Sequence, residues 1–542
     1  MYSRLSLSWI TSSWAVSLLL VFPVLAIIYQ GLVPAQALFQ HLMQTVMWDY
    51  ILNTVLLILG VGILSAMMAI PAAWFMAMCD IPGRKYLQWA LMLPLAMPAY
   101  VVAALYTELL DFAGPVQGAL RDLFGWQSAQ DYWFPNIRSM GGAIVILASV
   151  LFPYLYLLAR TSFLEQSDTL MHSAQLLGKT RAQAFWRISL PLARPSIAIG
   201  LSLIAMETLA DFATVDFFAV NTLTRAVYDT WLGYGNLNAA AKISSLMLVA
   251  VVLIIGLERF SRRKQKVFQK SMGQETKHLI KLLGWQKWLA SAFCWGLVWI
   301  GFLLPFLMLI YYAYSYFEQS WTEQFVRYSL DTLLLAGVVA LIACVIAMLV
   351  GLFRRLHVRR GSDIPARLCS MGYAVPGTVL AIGILIPLGW LDHRLNEVVE
   401  FFGGTGPGLF FSGSILALIC GYLVRFSAIA VGAVEGSLNK IPPSLDMVSK
   451  TLGKSSFNMV RKVHIPLISK GCFTALLLVF IESMKELPAA LILRPFNFET
   501  LATYVFEFVS DEMIEYGALP AIVIVLVGLI PLIVLSRSIE QH

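Results

Sequence analysis

Four carboxylates stand in stretches that are otherwise hydrocarbon: Glu207 and Asp211, then Glu482 and Glu486, with Lys485 beside the second pair. A four-residue spacing would set each pair on one face of a helix. Charges at membrane depth are expensive and turn toward a bundle interior or a water-filled path. Hard carboxylate oxygens gathered there suit a hard trivalent cation and would attract other cations as well. The same groups could instead close interhelical ion pairs, with Lys485, Lys242 or Arg425 as partners, and the residues leave both readings open. Other chemistry lacks its parts. Gly178-Lys-Thr180 and Gly453-Lys-Ser455 share the tail of a phosphate-binding loop, but Ser173 and Val448 occupy the place of its first glycine. The six cysteines, at positions 79, 294, 344, 369, 420 and 472, are scattered singly, which argues against disulfides and zinc. No nucleophile constellation is visible, so no enzyme is expected.

The elements that must position these charges follow from composition. The chain has 542 residues, 59% hydrophobic and only 13% charged, with a mean hydropathy of +0.76. That excludes a soluble globular protein. Continuous apolar runs, rather than alternating ones, select helices over a barrel. They predict spans near 14–31, 52–77, 87–110, 142–163, 195–220, 239–257, 291–313, 330–353, 369–391, 411–433, 471–493 and 518–536. The first could pass for a signal peptide, with Arg4 before it and Ala35-Gln-Ala37 after it. Its removal would leave five helices against six, so a retained anchor is expected. With the N-terminus inside, the inner segments hold 29 of the 38 Lys and Arg residues. The opposite loops hold six, Arg121, Arg138, Arg225, Arg327, Arg394 and Arg494. This asymmetry places both termini in the cytoplasm. It also accounts for the +7 net charge without nucleic acid, since Arg262-Arg-Lys-Gln-Lys266 is a membrane flank.

The chain is an internal duplication. Asn53-Thr-Val-Leu-Leu matches Asp331-Thr-Leu-Leu-Leu, and Pro98 matches Pro376, both 278 residues apart; Gly178 matches Gly453 and Glu207 matches Glu482, both 275 apart. The expected fold is an all-α membrane protein of twelve transmembrane helices in two parallel six-helix repeats. The halves are 1–257 and 291–542, and the basic segment 258–290 links them. Pro98 and Pro376 fall near helix starts or kinks. Between spans, each half carries one basic loop of the same design, 172–191 and 447–466. His172 opens the first, Gly178 bends it and Ile188-Ser-Leu190-Pro191 closes it; Met447, Gly453 and His464-Ile465-Pro466 do the same in the second. Glycine allows a sharp bend. The closing proline is expected to stop the element before the chain re-enters the membrane. Such a helix–turn–helix can lie in a groove on a partner, and its duplication calls for two equivalent grooves. The acidic outer stretch from Glu507 through Asp511 and Glu512 to Glu515 could hold a basic partner or simply be solvated.

The twin loops resemble the EAA loops of binding-protein-dependent ABC importer permeases, whose pattern is Glu-Ala-Ala-x3-Gly followed by Ile-x-Leu-Pro. Gly178, Ile188, Leu190 and Pro191 fit the first copy; Gly453, Val463, Ile465 and Pro466 fit the second less closely. The leading glutamate is absent from both, with His172 and Met447 in its place. Glu207-Thr-Leu-Ala-Asp-Phe-Ala-Thr-Val-Asp-Phe-Phe, Val375-Pro-Gly-Thr-Val-Leu-Ala and Met484-Lys-Glu-Leu-Pro-Ala-Ala-Leu-Ile-Leu-Arg-Pro-Phe-Asn-Phe-Glu-Thr resemble the fused, two-halved iron(III) permeases. Fused thiamine permeases share the architecture. The resemblance implies the type I ABC importer permease fold, a bacterial inner-membrane location and alternating access. It implies coupling loops that dock on a cytoplasmic ATPase homodimer, and a periplasmic solute-binding protein that delivers the substrate. ATP and magnesium would sit on the ATPase, so no cofactor is expected on this chain. A carrier driven by a proton or sodium gradient would use the same carboxylates, but it has no need of two docking loops.

Overall fold

The computed structural model describes residues 7–34, 37–166, 176, 178, 180–262, 279–282, 284–357, 361–453 and 455–540. Among them, twelve helices are long and apolar enough to cross a membrane. They are α1 Trp9–Leu32, α2 Met47–Met78, α3 Ala99–Phe124, α4 Met140–Leu164, α5 Phe185–Ala210 and α6 Leu237–Phe260, then α7 Trp285–Ser315, α8 Glu323–Leu356, α9 Gly377–Phe401, α10 Ile415–Leu438, α11 Phe457–Lys485 and α12 Ile514–Pro531. Helices satisfy their own backbone, which lipid demands. Both α3 and α9 start directly after a proline, Pro98 and Pro376, whose extended backbone serves as the N-cap. A short helix and a 3-10 turn precede each start, so the expected spans from 87 and from 369 are interrupted before they become continuous helix.

The duplication is visible as one hydrogen-bond pattern drawn twice. Thr54 Oγ1 donates to the carbonyl of Tyr50 at 2.7 Å and accepts the N–H of Leu223 at 2.9 Å. Thr332 Oγ1 donates to the carbonyl of Tyr328 at 2.7 Å and accepts the N–H of Leu501 at 2.8 Å. Each threonine anchors the segment that follows the break after α5 or α11. The Asn-Thr and Asp-Thr matches in the sequence therefore mark one structural role.

Packing divides the chain differently from the halves 1–257 and 291–542. One compact unit comprises Met1–Thr45, Ala226–Leu248 and Trp321–Tyr504; the other comprises Val46–Arg225, Val249–Ser320 and Val505–His542. In the first, α8, α10 and α11 pack on one another and α1 lies along α9. Gly383 of α9 makes that approach close, because a Cβ there would come within 2.6 Å of the carbonyl of Pro23 in α1. Lys242 of α6 donates to the carbonyls of Gly31 and Val33, satisfying groups at the end of α1. In the second unit, α2, α4 and α5 form the equivalent triplet, and α7 packs on α12. Gly301 of α7 fits against Ser149 of α4, where a Cβ would lie 2.7 Å from the carbonyl oxygen. A two-residue parallel bridge pairs Cys79 with Ile280 and Asp80 with Lys281. Each triplet thus comes from one sequence repeat and is joined by spans of the other.

Candidate functional site

The four carboxylates sit at a break repeated in both halves. α5 ends at Ala210 and α11 at Lys485; Asp211 (φ −67°, ψ 126°) and Glu486 (φ −68°, ψ 117°) are extended. The expected spans 195–220 and 471–493 are therefore not single helices. Asp211 and Glu486 are the C-cap residues of α5 and α11, one turn after Glu207 and Glu482, and the chain leaves the helix there. The physical reason lies in the backbone. When a helix ends at depth, the N–H groups that open the next one need acceptors. Asp211 accepts the N–H groups of Thr214 at 3.1 Å and Val215 at 3.2 Å, and the Thr214 hydroxyl at 3.0 Å. Glu486 accepts the N–H of Ala489 at 3.0 Å, in the first turn of the short helix Pro488–Leu493. Each acid closes its own break, and each is half of a capping device.

The second repeat adds a charge. Arg425 of α10 reaches Glu486 at 3.2 Å, with the two side chains only 13% and 5% exposed. Tyr422 donates its hydroxyl to the carbonyl of Glu486 at 3.2 Å. Gly377 faces this pair so closely that a Cβ would lie 2.5 Å from a guanidinium nitrogen and 2.7 Å from a carboxylate oxygen. The ion-pair reading thus holds at Glu486, with Arg425 as its partner. Lys485 turns to Glu482 instead, at 3.9 Å, and Glu482 is 41% exposed. In the first repeat Val150 occupies the position equivalent to Arg425. Glu207, half-buried one turn before the break, and Asp211 belong to one compact unit; Glu482, Lys485 and Glu486 belong to the other.

The loops carry the expected glycine bend. Gly178 and Gly453 have φ of +75° and +68°, a region costly for residues with a side chain. Nothing lies within 4 Å of a Cβ built on either. Met447 is exposed on the helix Pro443–Thr451 that precedes Gly453. His172 lies outside the described residues. Ile188 packs with Trp74 on the buried Ala184, while Ile465 remains largely exposed.

The closing prolines act otherwise than expected. Pro191 and Pro466 do not stop the chain; they lie inside α5 and α11, in the first turn of the α-helical part of each. A π-turn just before each absorbs the clash between ring and preceding turn. The N–H of Leu190 bonds the carbonyl of Phe185, and that of Ile465 bonds the carbonyl of Val460. Trp299–Leu303 repeats the device ahead of Pro305.

Asp446, unremarked in the sequence, anchors the second loop. It accepts from Arg355 at 2.9 Å and from His464 Nε2 at 2.8 Å. An acidic residue in the first turn after Pro443 was the available signal, since it favours a helix start. In the other unit, Arg138 joins Glu512 at 2.5 Å and Asp111 at 3.7 Å, along a cavity of about 340 Å³ that Glu108 and Tyr312 also line. Arg138 beside it holds the Glu512 carboxyl below its ordinary range. One member of the acidic stretch 507–515 is therefore tied within the chain.

Known proteins match along most of this length. The family of binding-protein-dependent transport system inner membrane components matches residues 69–272 and again 343–542. The Fe(3+)-transport system permease protein FbpB 2 of Haemophilus influenzae is 25% identical over 505 residues, 91% of this chain and 90% of its own. The ferric transport system permease protein FbpB of Actinobacillus pleuropneumoniae is 22% identical, over 78% of this chain and 61% of its own. The molybdenum transport system permease protein ModB of Escherichia coli is 30% identical over 39% of this chain and 95% of its own length, as expected if one repeat here equals one whole chain there.

Proposed function

The chain belongs to the family of binding-protein-dependent transport system inner membrane components, and on that premise we propose that it is the fused permease of an ATP-driven importer of iron(III). A periplasmic binding protein delivers the metal, a cytoplasmic ATPase homodimer carrying ATP and magnesium drives the cycle, and both termini lie in the cytoplasm. The observation that carries the coupling is the pair of left-handed glycines, Gly178 and Gly453, each thirteen residues before a proline that continues into a membrane helix. A loop rigidly continuous with a span can pass movement at the docking face into the bilayer. The observation that favours a cation is the break after α5 and α11, where carboxylates stand at the ends of apolar membrane-length helices in both repeats. Likeness to ferric permeases along almost the whole chain supports iron as that cation.

The test is radiolabelled iron(III) uptake into vesicles holding the permease, its co-purified ATPase and a loaded binding protein. Uptake that requires ATP, the ATPase and the binding protein is expected. Transport of thiamine or molybdate in place of iron would keep the machine and change the cargo. Uptake that ignores ATP and follows an ion gradient would overturn the docking role of the loops.

A further inference from the structure

Among the described residues, the two loops are fastened to the membrane helices by different contacts. In the first, Phe185 opens the π-turn and packs edge-on against Trp74 of α2 with ring centres 4.8 Å apart. Trp74 in turn meets Phe163 of α4 at 5.3 Å. The equivalent positions in the second repeat are Val460, Leu352 and Leu438, with no aromatic ring among them. There the anchor is ionic. Asp446 of the loop helix accepts from Nε of Arg355 at the end of α8 with one oxygen, and from His464 in the π-turn with the other. Arg355 also donates to the carbonyls of Leu438 at 2.6 Å and Ile441 at 3.0 Å, closing the end of α10. The side chains of Arg355, Asp446 and His464 are 14%, 16% and 0% exposed. Among the described residues Nδ1 of His464 has no hydrogen-bond partner, so Asp446 is the polar contact that orients the ring. Met171, Ala77 and Ser189 stand at the equivalent positions in the first repeat, and none can replace a member of this set.

We propose that Asp446 is a positioning residue that clamps the second loop to α8, α10 and α11, so that the two loops transmit movement unequally. Aromatic contacts carry no charge to lock the loop, whereas a guanidinium that gives Nε to the carboxylate and its two terminal nitrogens to backbone carbonyls fixes orientation as well as distance. With little water at the triad, the charges hold strongly, and removal of the carboxylate strands the buried arginine. The second loop then moves as one body with three spans, whereas the described anchors of the first are aromatic rings and one neutral hydrogen bond, from Gln166 Nε2 to the Ser189 carbonyl at 2.9 Å. This inference rests on the docking reading of the loops.

Hydrogen exchange on the permease–ATPase complex in nanodiscs, with and without ATP and vanadate, tests it. In Asp446→Asn, amides 444–451 should exchange roughly tenfold faster or more, the loss expected for one charge-assisted bond. The ATP-dependent change at the 344–356 end of α8 should disappear while the ATPase still co-purifies. Arg355→Lys keeps the charge without the fork and should raise exchange at 444–451 without unfolding, which covers a failure of Asp446→Asn to fold. An ATP-dependent change at α8 that survives in Asp446→Asn would overturn the clamp. So would loss of the ATPase with exchange at 444–451 unaltered, because Asp446 would then be a docking contact. The docking reading fails separately, if the ATPase co-purifies undiminished with Gly178→Val and Gly453→Val.

Discussion

Glu482 and Glu486 are four residues apart, yet the fold gives them opposite tasks. Glu486 is buried against Arg425 and caps the next helix; Glu482, 41% exposed, meets Lys485 at 3.9 Å. Removing one partner of a buried pair leaves an uncompensated charge, at a cost of about 3–5 kcal/mol. Glu486→Gln should therefore sharply lower the thermal midpoint of the detergent-solubilised permease. Glu482→Gln should leave stability within about 0.5 kcal/mol, as for a half-exposed pair, and instead reduce iron uptake. Equal destabilisation by both would mean that Glu482 also is structural. The charged residues themselves were legible in the sequence, since carboxylates in hydrocarbon stand out. Their division of labour was not, because Arg425 lies some sixty residues before Glu486 and nothing in the spacing pairs them. Pro488 was an available clue to the break, being a residue suited to a helix's first turn.

At the scale of elements, the second loop is a helix, a left-handed glycine, a short helix and a π-turn that runs straight into a span, and the first shows the same glycine, short helix and π-turn. The bend was legible, because glycine is the residue that takes positive φ without strain. The continuity past the proline was not. Pro191 and Pro466 ordinarily signal a stop, and the extra residue of a π-turn that removes the clash has no composition of its own. A β-branched side chain at Gly178 or Gly453 meets open space, so its penalty is confined to the backbone at roughly 1–2 kcal/mol. Gly178→Val and Gly453→Val should consequently reach the membrane in normal amount, while the bend relaxes and ATPase co-purification and ATP-dependent uptake both fall. Quantitative pull-down of the ATPase alongside permease abundance checks this. Normal pull-down with normal uptake would assign the loops another role.

On the scale of the whole molecule, twelve spans and their duplication were readable from hydrophobic runs and matched residues. The exchange of spans was hidden. A helix apolar on all sides carries no stripe that names its neighbour, and close approaches such as Gly301 on α4 and Gly383 on α1 become meaningful only in three dimensions. One consequence is that a loop of the first repeat and the start of α12 meet within one unit, where Arg138 grips Glu512. The arginine holds the Glu512 carboxyl below its ordinary value, so the charged form is favoured by folding. For a depressed acid, that stabilisation is present above the ordinary carboxylate range and is lost as pH falls through the folded-state value. Glu512→Gln removes it at every pH. Thermal midpoints of wild type and Glu512→Gln should therefore differ modestly at neutral pH, as suits a surface pair, and converge below about pH 4. These segments of the two repeats would then be joined by charge and released by acid. A gap between the two proteins that persists unchanged into acid would show that Glu512 contributes through packing, with Arg138 bound elsewhere.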